Sequence, residues 1–595
     1  MSLIGAERRQ GRRGVVAGTV VNDMSILIGG DAGQGVESSG AGLCQAFARG
    51  GLQVFAMQDY RSRIRGGHNF YQTRLSERPL HSHSNPVHLV LALTEETVTL
   101  HVDNIAEGGA VIYPERVKVD EEALKERGVQ CFAMPLTAIA EEHGNRIMTN
   151  TAALAAAAGV CDWPLDSLES VTRDNFQVKG SEVVESNLAV AKTAYDQAQE
   201  RYAAAFPYKL KPLEAPPRML INGNQAISLG ALAGGCRFIS AYPMTPATSI
   251  IEGLSALPRD LGIVTKHAED EIAAVCMAIG ASYAGARAMT ATSGGGFSLM
   301  TEALGLAGMT EVPLVVVEAQ RGGPSTGLPT RTEQGDLLFV INASQGEFPR
   351  VVLAPGTVEE CFEAGWRAFN LAERYQCPVI ILSDQFLASS LRSLDMGAID
   401  FSTVSIDRGQ FLSAEDLDGM EDDYRRFAFT DSGISPRAAP GHAKGVCAVT
   451  SDEHDEYGQI TEEITNRRRM MDKRMRKLAT AAEEMRPPRR HGPEQADLTL
   501  VCWGSSYGPC REAMNLLNSN GGSANLLHFS DLWPFPEDEA ARMLKACRHT
   551  GAGEQNHTSQ LARLIRMATG ISVDRTINKY DGRPFSPEDI LAGLA

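Results

Sequence analysis

The chain has 595 residues, which is too long for one hydrophobic core, so three or more domains are expected. Its formal net charge of −17 disfavours nucleic acid or an anionic membrane surface as its main partner. No apolar run of about 18 residues or more occurs, so the sequence predicts no membrane span. The start is basic and lacks an apolar segment. We therefore interpret residues 1–24 as a disordered leader and expect a cytoplasmic protein.

The 11 cysteines are scattered along the chain. No pair has C-x2-C spacing, and none is grouped with histidines at metal-ligand spacing. Reduced, buried cysteines are the expectation. We expect no metal site, and no iron–sulfur cluster held by this chain alone.

The first domain is predicted over residues 25–205 and opens with a strand, a glycine-rich turn and a helix. Gly30, Gly33 and Gly35 would let backbone N–H groups approach an anion, although a simple tight turn explains them equally well. The full dinucleotide-binding fingerprint is not present, because the third glycine comes too early.

Three arginines alternate shortly after this turn. Arg61, Arg63 and Arg65 would share one face of a strand, since alternate side chains on a strand point the same way. Such a face suits a polyanion site or a subunit contact, and a merely solvated face is about as good an interpretation.

The remaining domains follow from changes in composition and periodicity. A proline-rich linker is predicted at 206–218. Strands and helices then alternate over 219–395, which indicates a doubly wound, mostly parallel sheet. Residues 396–494 are charged and poor in strand signals, so we interpret them as an arm whose basic helix favours a protein contact. Residues 495–595 return to an α/β pattern. The predicted fold class is therefore multidomain α/β.

Three polar islands in the second α/β domain each follow a short, β-branched apolar run. They cover residues 241–249, 267–274 with 291–298, and 320–336. Loops at the carboxyl ends of strands hold the ligands of open α/β sheets. These islands are therefore the predicted site.

Within the islands, Glu269 and Asp270 are readily explained as helix caps. Glu271 instead is the first residue of a predicted helix of small residues. Such residues would let another molecule pack closely against the helix. Thr245 lies between two prolines that fix its backbone. Arg321 precedes two glycines and suits a carboxylate, with the hydroxyl of Thr330 nine residues further on.

Several motifs together resemble one family. They are Tyr242-Pro-Met-Thr-Pro246, Glu269-Asp-Glu-Ile-Ala-Ala274, Gln320-Arg-Gly-Gly-Pro-Ser-Thr-Gly-Leu-Pro-Thr330, the arginine–glycine run ending at His68, and Lys579-Tyr-Asp-Gly-Arg-Pro-Phe585. From about Ser25 onward the chain resembles the α subunit of 2-oxoacid:ferredoxin oxidoreductases, in the form with a γ domain fused before α. The 2-oxoglutarate enzymes are the nearest type.

This resemblance implies a fold and a chemistry. Residues 25–205 would be the γ domain, 219–395 the domain that binds the aminopyrimidine half of thiamine diphosphate, and 495–595 a domain like the transketolase C-terminal one. The family decarboxylates a 2-oxoacid with thiamine diphosphate and coenzyme A, and passes electrons singly to an iron–sulfur cluster and ferredoxin. The reverse reductive carboxylation uses the same site.

The resemblance also implies residue roles. Glu271 matches the glutamate that hydrogen-bonds the pyrimidine nitrogen and so favours the tautomer that activates the thiazolium carbon. Thr245 and Arg321 match residues that contact the substrate's keto acid group, with Thr330 nearby. The cofactor side would include Tyr242, Pro243, Ser293 and Gly294. The arginines at 61, 63 and 65 are possible contributors to coenzyme A binding.

A Gly-Asp-Gly…Asn motif for Mg²⁺ and diphosphate is not found in a fitting context. The resemblance implies that a β subunit supplies the diphosphate site, Mg²⁺ and a [4Fe–4S] cluster, in an (αβ)2 assembly. The chain departs from the family at Gly295, where proline is common, and at Ser559, where glycine is common.

Two alternatives stay open. One is a substrate other than 2-oxoglutarate, because pyruvate, branched-chain and aryl 2-oxoacids use the same chemistry. A second substrate carboxylate would need another cation, for which Arg331, Lys266 and His267 are candidates. The other alternative is a non-catalytic subunit that binds coenzyme A or a partner through residues 25–200.

Overall fold

The structure is a computed structural model that describes residues 18–61, 67–257 and 259–595. The first domain is built from these elements: β1 Val20–Val21, β2 Asp23–Asp31, α1 Val36–Arg49, β3 Gln53–Asp59, β4 His68–Ser76, β5 Val87–Ala92, α2 Glu95–His101, β6 Ile105–Pro114, α3 Glu121–Glu126, β7 Gln130–Met134, α4 Leu136–His143, α5 Thr149–Val160, α6 Leu165–Phe176, α7 Ser181–Ala198 and β8 Tyr208–Lys209.

The second domain alternates strands and helices as its sequence predicts. Its elements are β9 Arg218–Ile221, α8 Gly223–Ala233, β10 Phe238–Ala241, α9 Thr248–Ser255, β11 Val264–His267, α10 Glu271–Tyr283, β12 Ala288–Thr292, α11 Gly294–Met309, β13 Leu314–Gln320, α12 Leu337–Asn342, β14 Val351–Leu353, α13 Val358–Tyr375, β15 Pro378–Asp384, α14 Gln385–Ser389 and β16 Leu391–Asp395.

The remaining residues form the arm and the last domain. Their elements are α15 Ala414–Asp418, α16 Ile464–Glu484, β17 Arg489–His491, β18 Leu498–Trp503, α17 Tyr507–Ser519, β19 Ala524–Phe529, β20 Asp531–Trp533, α18 Glu537–Lys545, β21 Thr550–Glu554, α19 Gln560–Thr569, β22 Arg575–Asn578 and α20 Pro587–Leu594. None of the helices in the described ranges combines the length and hydropathy that a bilayer span requires.

The second domain is organised around a seven-stranded sheet in the order β11-β10-β12-β13-β15-β14-β20. All its strands run parallel except β20, which the last domain contributes antiparallel to β14. Helices cover both faces, as a doubly wound sheet requires. The predicted multidomain α/β fold class is confirmed.

The domains share strands across their boundaries. An eight-stranded sheet in the order β7-β6-β5-β2-β4-β3-β16-β9 ends in two strands of the second domain, joined through β16 to β3. A five-stranded sheet, β17-β19-β18-β21-β22, forms the last domain. Because backbone ladders cross both boundaries, the three α/β units are fixed relative to one another.

The predicted leader, 1–24, needs correction at its end. Val20–Val21 pairs in parallel with Tyr208–Lys209, and β2 already begins at Asp23. The backbone groups of these residues are satisfied by ladder hydrogen bonds, which the sequence did not reveal. The pairing also places two residues of the predicted linker, 206–218, in a strand. Residues 1–17 lie outside the described residues.

The arm is held to the second domain by buried ion pairs. Glu311 lies in the loop between α11 and β13 and forms ion pairs with Lys473 at 2.5 Å and with Lys477, and all three side chains are about 1% exposed or less. Glu373 on α13 binds Arg287 at 2.8 Å and Arg437 at 2.6 Å. The basic helix expected to meet a protein surface therefore meets this chain's own core.

Candidate active site

The predicted polar islands converge at one edge of the seven-stranded sheet. Thr245 follows β10, Glu271 follows β11, Ser293 follows β12, and Arg321 follows β13. The four strands are parallel, so their carboxyl ends open on the same side. The contacts described next show that side chains from different islands meet there.

Glu271 is the first residue of α10 and is only 4% exposed. Asp270 caps the helix by accepting from the Ala273 amide at 2.7 Å, which confirms its expected role as a cap. Glu271 Oε1 is buried without a hydrogen-bond partner among the described residues. A buried carboxylate oxygen that lacks a donor is costly unless a ligand supplies one.

Gly296, in the first turn of α11, forms the wall of this niche. A Cβ at that position would lie 2.8 Å from Glu271 Oε1 and would overlap Thr292 Oγ1. The absent side chain is therefore what leaves Glu271 its space. The sequence signal is the Gly294-Gly295-Gly296 run of the second polar island, which forms the first turn of a helix and not a loop.

Arg321 joins two of the islands. Its Nη1 donates to the Thr245 carbonyl at 2.8 Å. Burial lowers the pKa of Arg321, and the nearby Glu271 carboxylate opposes that shift. The guanidinium thus lies within electrostatic reach of the buried glutamate, with one of its five N–H groups engaged by the Thr245 carbonyl.

The residues expected on the cofactor side surround the same edge. Ser293 is buried at the N-cap position just before α11, and its Oγ has no hydrogen-bond partner among the described residues. Gly294 lies against Asp336, whose Oδ2 would be 2.5 Å from a Cβ there. Tyr242 is 39% exposed, with its ring 6.5 Å from that of His267, and Pro243 is half-buried.

The substrate-side residues are less clustered. Thr330 is buried on the connection between β13 and α12. Arg331 forms an ion pair with Asp59 of the first domain, and Arg583 lies 3.6 Å from the same carboxylate. Lys266 and His267 are exposed at the end of β11. Asp59 and Arg583 were not predicted, because their meeting depends on how three domains pack.

The arginine run is corrected in part. β3 ends at Asp59 and β4 begins at His68, so Arg61 lies in the connection of an antiparallel pair and not on a strand face. Arg61 is half exposed and lies 3.5 Å from Glu96. Arg63 and Arg65 lie outside the described residues.

Three family models match separate parts of the chain. "Pyruvate ferredoxin/flavodoxin oxidoreductase" matches residues 25–197, "Pyruvate flavodoxin/ferredoxin oxidoreductase, thiamine diP-bdg" matches 229–473, and "Pyruvate:ferredoxin oxidoreductase core domain II" matches 496–590. The second model extends into the predicted arm, in keeping with the buried ion pairs that hold it.

Full-length relatives decide the family. The chain is 35% identical to 2-oxoacid:ferredoxin oxidoreductase 2, subunit alpha, of Aeropyrum pernix, over 94% of this chain and 96% of that one. The chain belongs to the 2-oxoacid:ferredoxin oxidoreductase α-subunit family. It is also 30% identical to the 2-oxoglutarate oxidoreductase subunit KorA of Mycobacterium tuberculosis, over 96% of this chain and 91% of that one.

A solved structure agrees with this α-subunit assignment. The 2-oxoglutarate:ferredoxin oxidoreductase of Magnetococcus marinus, solved with 2-oxoglutarate, coenzyme A and succinyl-CoA bound, superposes with a TM-score of 0.90 at 34% identity. The match covers 96% of this chain and 99% of that one. The order of the three α/β units is therefore shared along nearly the whole length of both chains.

Proposed function

We propose that this α subunit acts in the coenzyme A-dependent oxidative decarboxylation of 2-oxoglutarate to succinyl-CoA, with reduction of ferredoxin, or in the reverse reaction. The observation that carries the proposal is the buried Glu271 carboxylate with an unpartnered oxygen beside the glycine wall of α11. The ligands bound in the Magnetococcus marinus relative support this substrate.

The niche suits the aminopyrimidine half of thiamine diphosphate. Glu271 Oε1 needs a donor, and Gly296 leaves space for a flat ring beside it. When bound, the cofactor supplies the carbanion-stabilising chemistry that a 2-oxoacid needs to lose carbon dioxide. Glu271 would hold the hydrogen bond to the pyrimidine nitrogen, with Tyr242, Pro243 and Ser293 lining the cofactor side.

Arg321 would hold the substrate's 2-oxo acid group. Its Nη1 is committed to the Thr245 carbonyl, which fixes the orientation of the guanidinium plane and presents the remaining N–H groups to a carboxylate. Thr245 would place its hydroxyl beside the same group, and Thr330 would contribute a second hydroxyl. These contacts would orient the substrate's carboxylate before the reaction begins.

The site would be completed by a β subunit. Two helices that begin at the site expose apolar side chains, with Ile272 of α10 51% and Leu299 of α11 53% exposed, and Cys276 of α10 exposed as well. Exposed apolar residues grouped around a site favour a protein interface. We propose that the β subunit docks here and brings Mg²⁺, the diphosphate site and a [4Fe–4S] cluster, in an (αβ)2 assembly.

Coenzyme A would approach from the first domain. Gly33 and Gly35 adopt positive φ values of 90° and 71° at the start of α1, which exposes backbone N–H groups in the manner of anion-binding turns. Arg61 lies in the neighbouring β3–β4 connection. We propose that this connection, including Arg63 and Arg65, contributes to coenzyme A binding.

The identity of the substrate is tested by measuring viologen reduction under anaerobic conditions. The chain is co-expressed with the neighbouring gene, supplied with thiamine diphosphate and coenzyme A, and compared on 2-oxoglutarate, pyruvate and 2-oxoisovalerate, with the chain alone as control. Turnover of 2-oxoglutarate by the pair alone supports the proposal. Turnover of only another 2-oxoacid would show that this acid, and not 2-oxoglutarate, is the substrate. Inactivity of a cluster-loaded pair would favour the alternative that the chain is a non-catalytic binding subunit.

A further inference from the structure

The last domain holds the segment that carries Arg321 and Thr330. This segment runs from residue 321 to 336, between the end of β13 and the start of α12, and we call it the β13–α12 loop. In the sheet of the last domain, β18, β19, β21 and β22 run parallel. An open α/β sheet binds its ligands at the carboxyl ends of such strands. In this protein the β13–α12 loop lies against the carboxyl ends of β18 and β21, as its hydrogen bonds show.

Gln334 is the loop residue that enters this edge of the sheet, and it is fully buried. Its Nε2 donates to the carbonyl of Trp503, the last residue of β18, at 2.9 Å. Its Oε1 accepts from Ser506 Oγ at 2.6 Å and from the Gln555 N–H at 3.1 Å. Its backbone N–H donates to the Gln555 carbonyl at 2.7 Å, and its carbonyl accepts from Asn556 Nδ2 at 3.0 Å. Gln334 therefore takes the position that a ligand takes at the edge of an open α/β sheet.

The last domain is shaped to receive this side chain. Gly504 follows β18 with a φ of 51°, which favours glycine, and a Cβ there would lie only 3.0 Å from Gln334 Nε2. Gln560, the first residue of α19, adds a second attachment. Its Nε2 donates to the Gly335 carbonyl at 2.6 Å, and its Oε1 accepts from the Leu338 N–H at 2.9 Å. The last domain thus holds the end of the loop and the start of α12 together.

Hydrogen bonds within the loop connect this attachment to Arg321. Gly322, which directly follows Arg321, donates its N–H to the Arg331 carbonyl at 3.2 Å. The Gly322 carbonyl accepts from the Leu328 N–H at 2.7 Å, and the Arg331 N–H donates to the Leu328 carbonyl at 3.0 Å. The two ends of the loop are therefore one hydrogen-bonded unit, and Gln334 fixes this unit to the last domain.

The terminal motif, residues 579–585, packs against the same unit. Gly582 has a φ of 77°, and a Cβ there would lie 3.0 Å from Arg331 Cβ and 3.0 Å from Leu328 Cδ1. Arg583 lies 3.6 Å from Asp59, the carboxylate with which Arg331 forms its ion pair. The terminal motif therefore supports the middle of the loop, as Gln334 supports its end.

We propose that the last domain positions the substrate-binding groups of the site, and that Gln334 is the positioning residue through which it does so. Without the hydrogen bonds of Gln334 the loop would sample other positions, and Arg321 and Thr330 would face the 2-oxoacid for only part of the time. The apparent affinity for a ligand falls with the fraction of protein in the binding-competent state. This effect on substrate binding rests on the function proposed above, whereas the attachment of the loop does not.

The first test is amide hydrogen exchange in the co-expressed complex, without substrate. Gln334→Ala removes three side-chain hydrogen bonds. The hydrogen-bonded amides of residues 321–336 should then exchange at least about tenfold faster, as expected when one or more hydrogen bonds are lost. The matched control is Asn525→Ala, which removes a buried amide that donates to the Pro493 carbonyl at 2.9 Å near the amino end of β19. This control should leave exchange in residues 321–336 as in the wild type.

The second test is the kinetics of a complex that turns over a 2-oxoacid. Gln334→Ala should raise the KM for that acid by about tenfold or more with kcat little changed, because the lost positioning affects the ground state and the transition state alike. Ser506→Ala removes one hydrogen bond to Gln334 and should raise the KM by about fivefold. Added to Gln334→Ala, it should cause no further rise, since its partner is already absent. Asn525→Ala should leave the KM unchanged.

Exchange and kinetics together separate this proposal from the proposed function. A complex that turns over no 2-oxoacid but shows the predicted exchange pattern would retain the attachment of the loop and refute the function. An active complex whose KM is unchanged in Gln334→Ala, or rises equally in Asn525→Ala, would retain the function and overturn the positioning role. Wild-type exchange of residues 321–336 in Gln334→Ala would overturn it as well. Should Gln334→Ala fail to fold, Ser506→Ala decides by the same two measurements.

Discussion

Replacing Glu311 with glutamine should strongly destabilise the protein. Glu311 is fully buried and binds Lys473 at 2.5 Å and Lys477, whose side chains are also fully buried. Burial opposes ionisation of Glu311, but the charges of Lys473 and Lys477 outweigh it and hold the pKa of the carboxyl below its ordinary value. The substitution keeps the side-chain shape and removes the only negative charge in this group of three side chains.

The size of the destabilisation follows from the two lysine charges that remain buried. Two lysines would stay buried without a counter-charge, and breaking a buried ion pair on one side costs about 3–5 kcal/mol. For a domain of this size each kcal/mol lowers the melting temperature by roughly 2–4 °C, so Tm should fall by about 10 °C. The pH dependence has the corresponding sign, because a carboxyl with a lowered folded-state pKa contributes stability that is lost as the pH falls.

The assay is thermal unfolding of the purified complex, supported by proteolysis of the arm. The triple variant Glu311→Gln, Lys473→Met, Lys477→Met removes all three charges and should recover most of the lost Tm, since apolar groups of similar size replace buried ion pairs well. A single Glu311→Gln variant that melts within about 2 °C of the wild type would refute the view that this contact anchors the arm.

Three further substitutions test the site and its frame. Gly296→Ala should weaken thiamine diphosphate binding by at least about tenfold, measured by titration of the cofactor-free complex, because the new methyl group occupies the space beside Glu271 Oε1. Arg321→Lys should raise the KM for the 2-oxoacid by about tenfold or more in steady-state kinetics, since a lysine cannot bind a carboxylate and the Thr245 carbonyl with one planar fork. Glu373→Gln should lower Tm by about as much as Glu311→Gln, measured by thermal unfolding, because it leaves buried arginines unpaired.

Much of the scaffold follows from local pattern. The strand–helix rhythm of residues 219–395 predicted the doubly wound sheet, because β-branched runs and helical periodicity are properties of neighbouring residues. The start of α11 at Gly294, inside the second polar island, does not follow from local pattern, since a glycine run is a poor helix former. The joining of β16 to β3 was not predictable, because pairing between domains depends on tertiary packing.

The shared location of three predicted site residues was predictable, because each lies in a motif that directly follows a parallel strand. Glu271, Thr245 and Arg321 were singled out from the sequence, and the structure places them at one sheet edge. Asp59 and Arg583 were not, because Asp59 meets Arg331 and Arg583 only when three domains pack together.

In the arm, too, a contact between residues far apart in sequence was not predictable. Lys473 and Lys477 share a helical face with Met470 and Ala481, and this spacing was the signal that these lysines are buried. Their partner Glu311 lies more than 160 residues away, so no local pattern could indicate it.

The central claim is that Glu271 holds the hydrogen bond to the pyrimidine nitrogen of thiamine diphosphate in a half site, and one measurement tests it most directly. Glu271→Gln is assembled with the β subunit, checked for cluster content and assembly size, and assayed by viologen reduction beside Glu302→Gln, a matched control at an exposed carboxyl on α11. The account predicts a rate loss of about 10²–10⁴-fold for Glu271→Gln with the assembly intact, and no change for Glu302→Gln. Full turnover by an intact Glu271→Gln complex would contradict it.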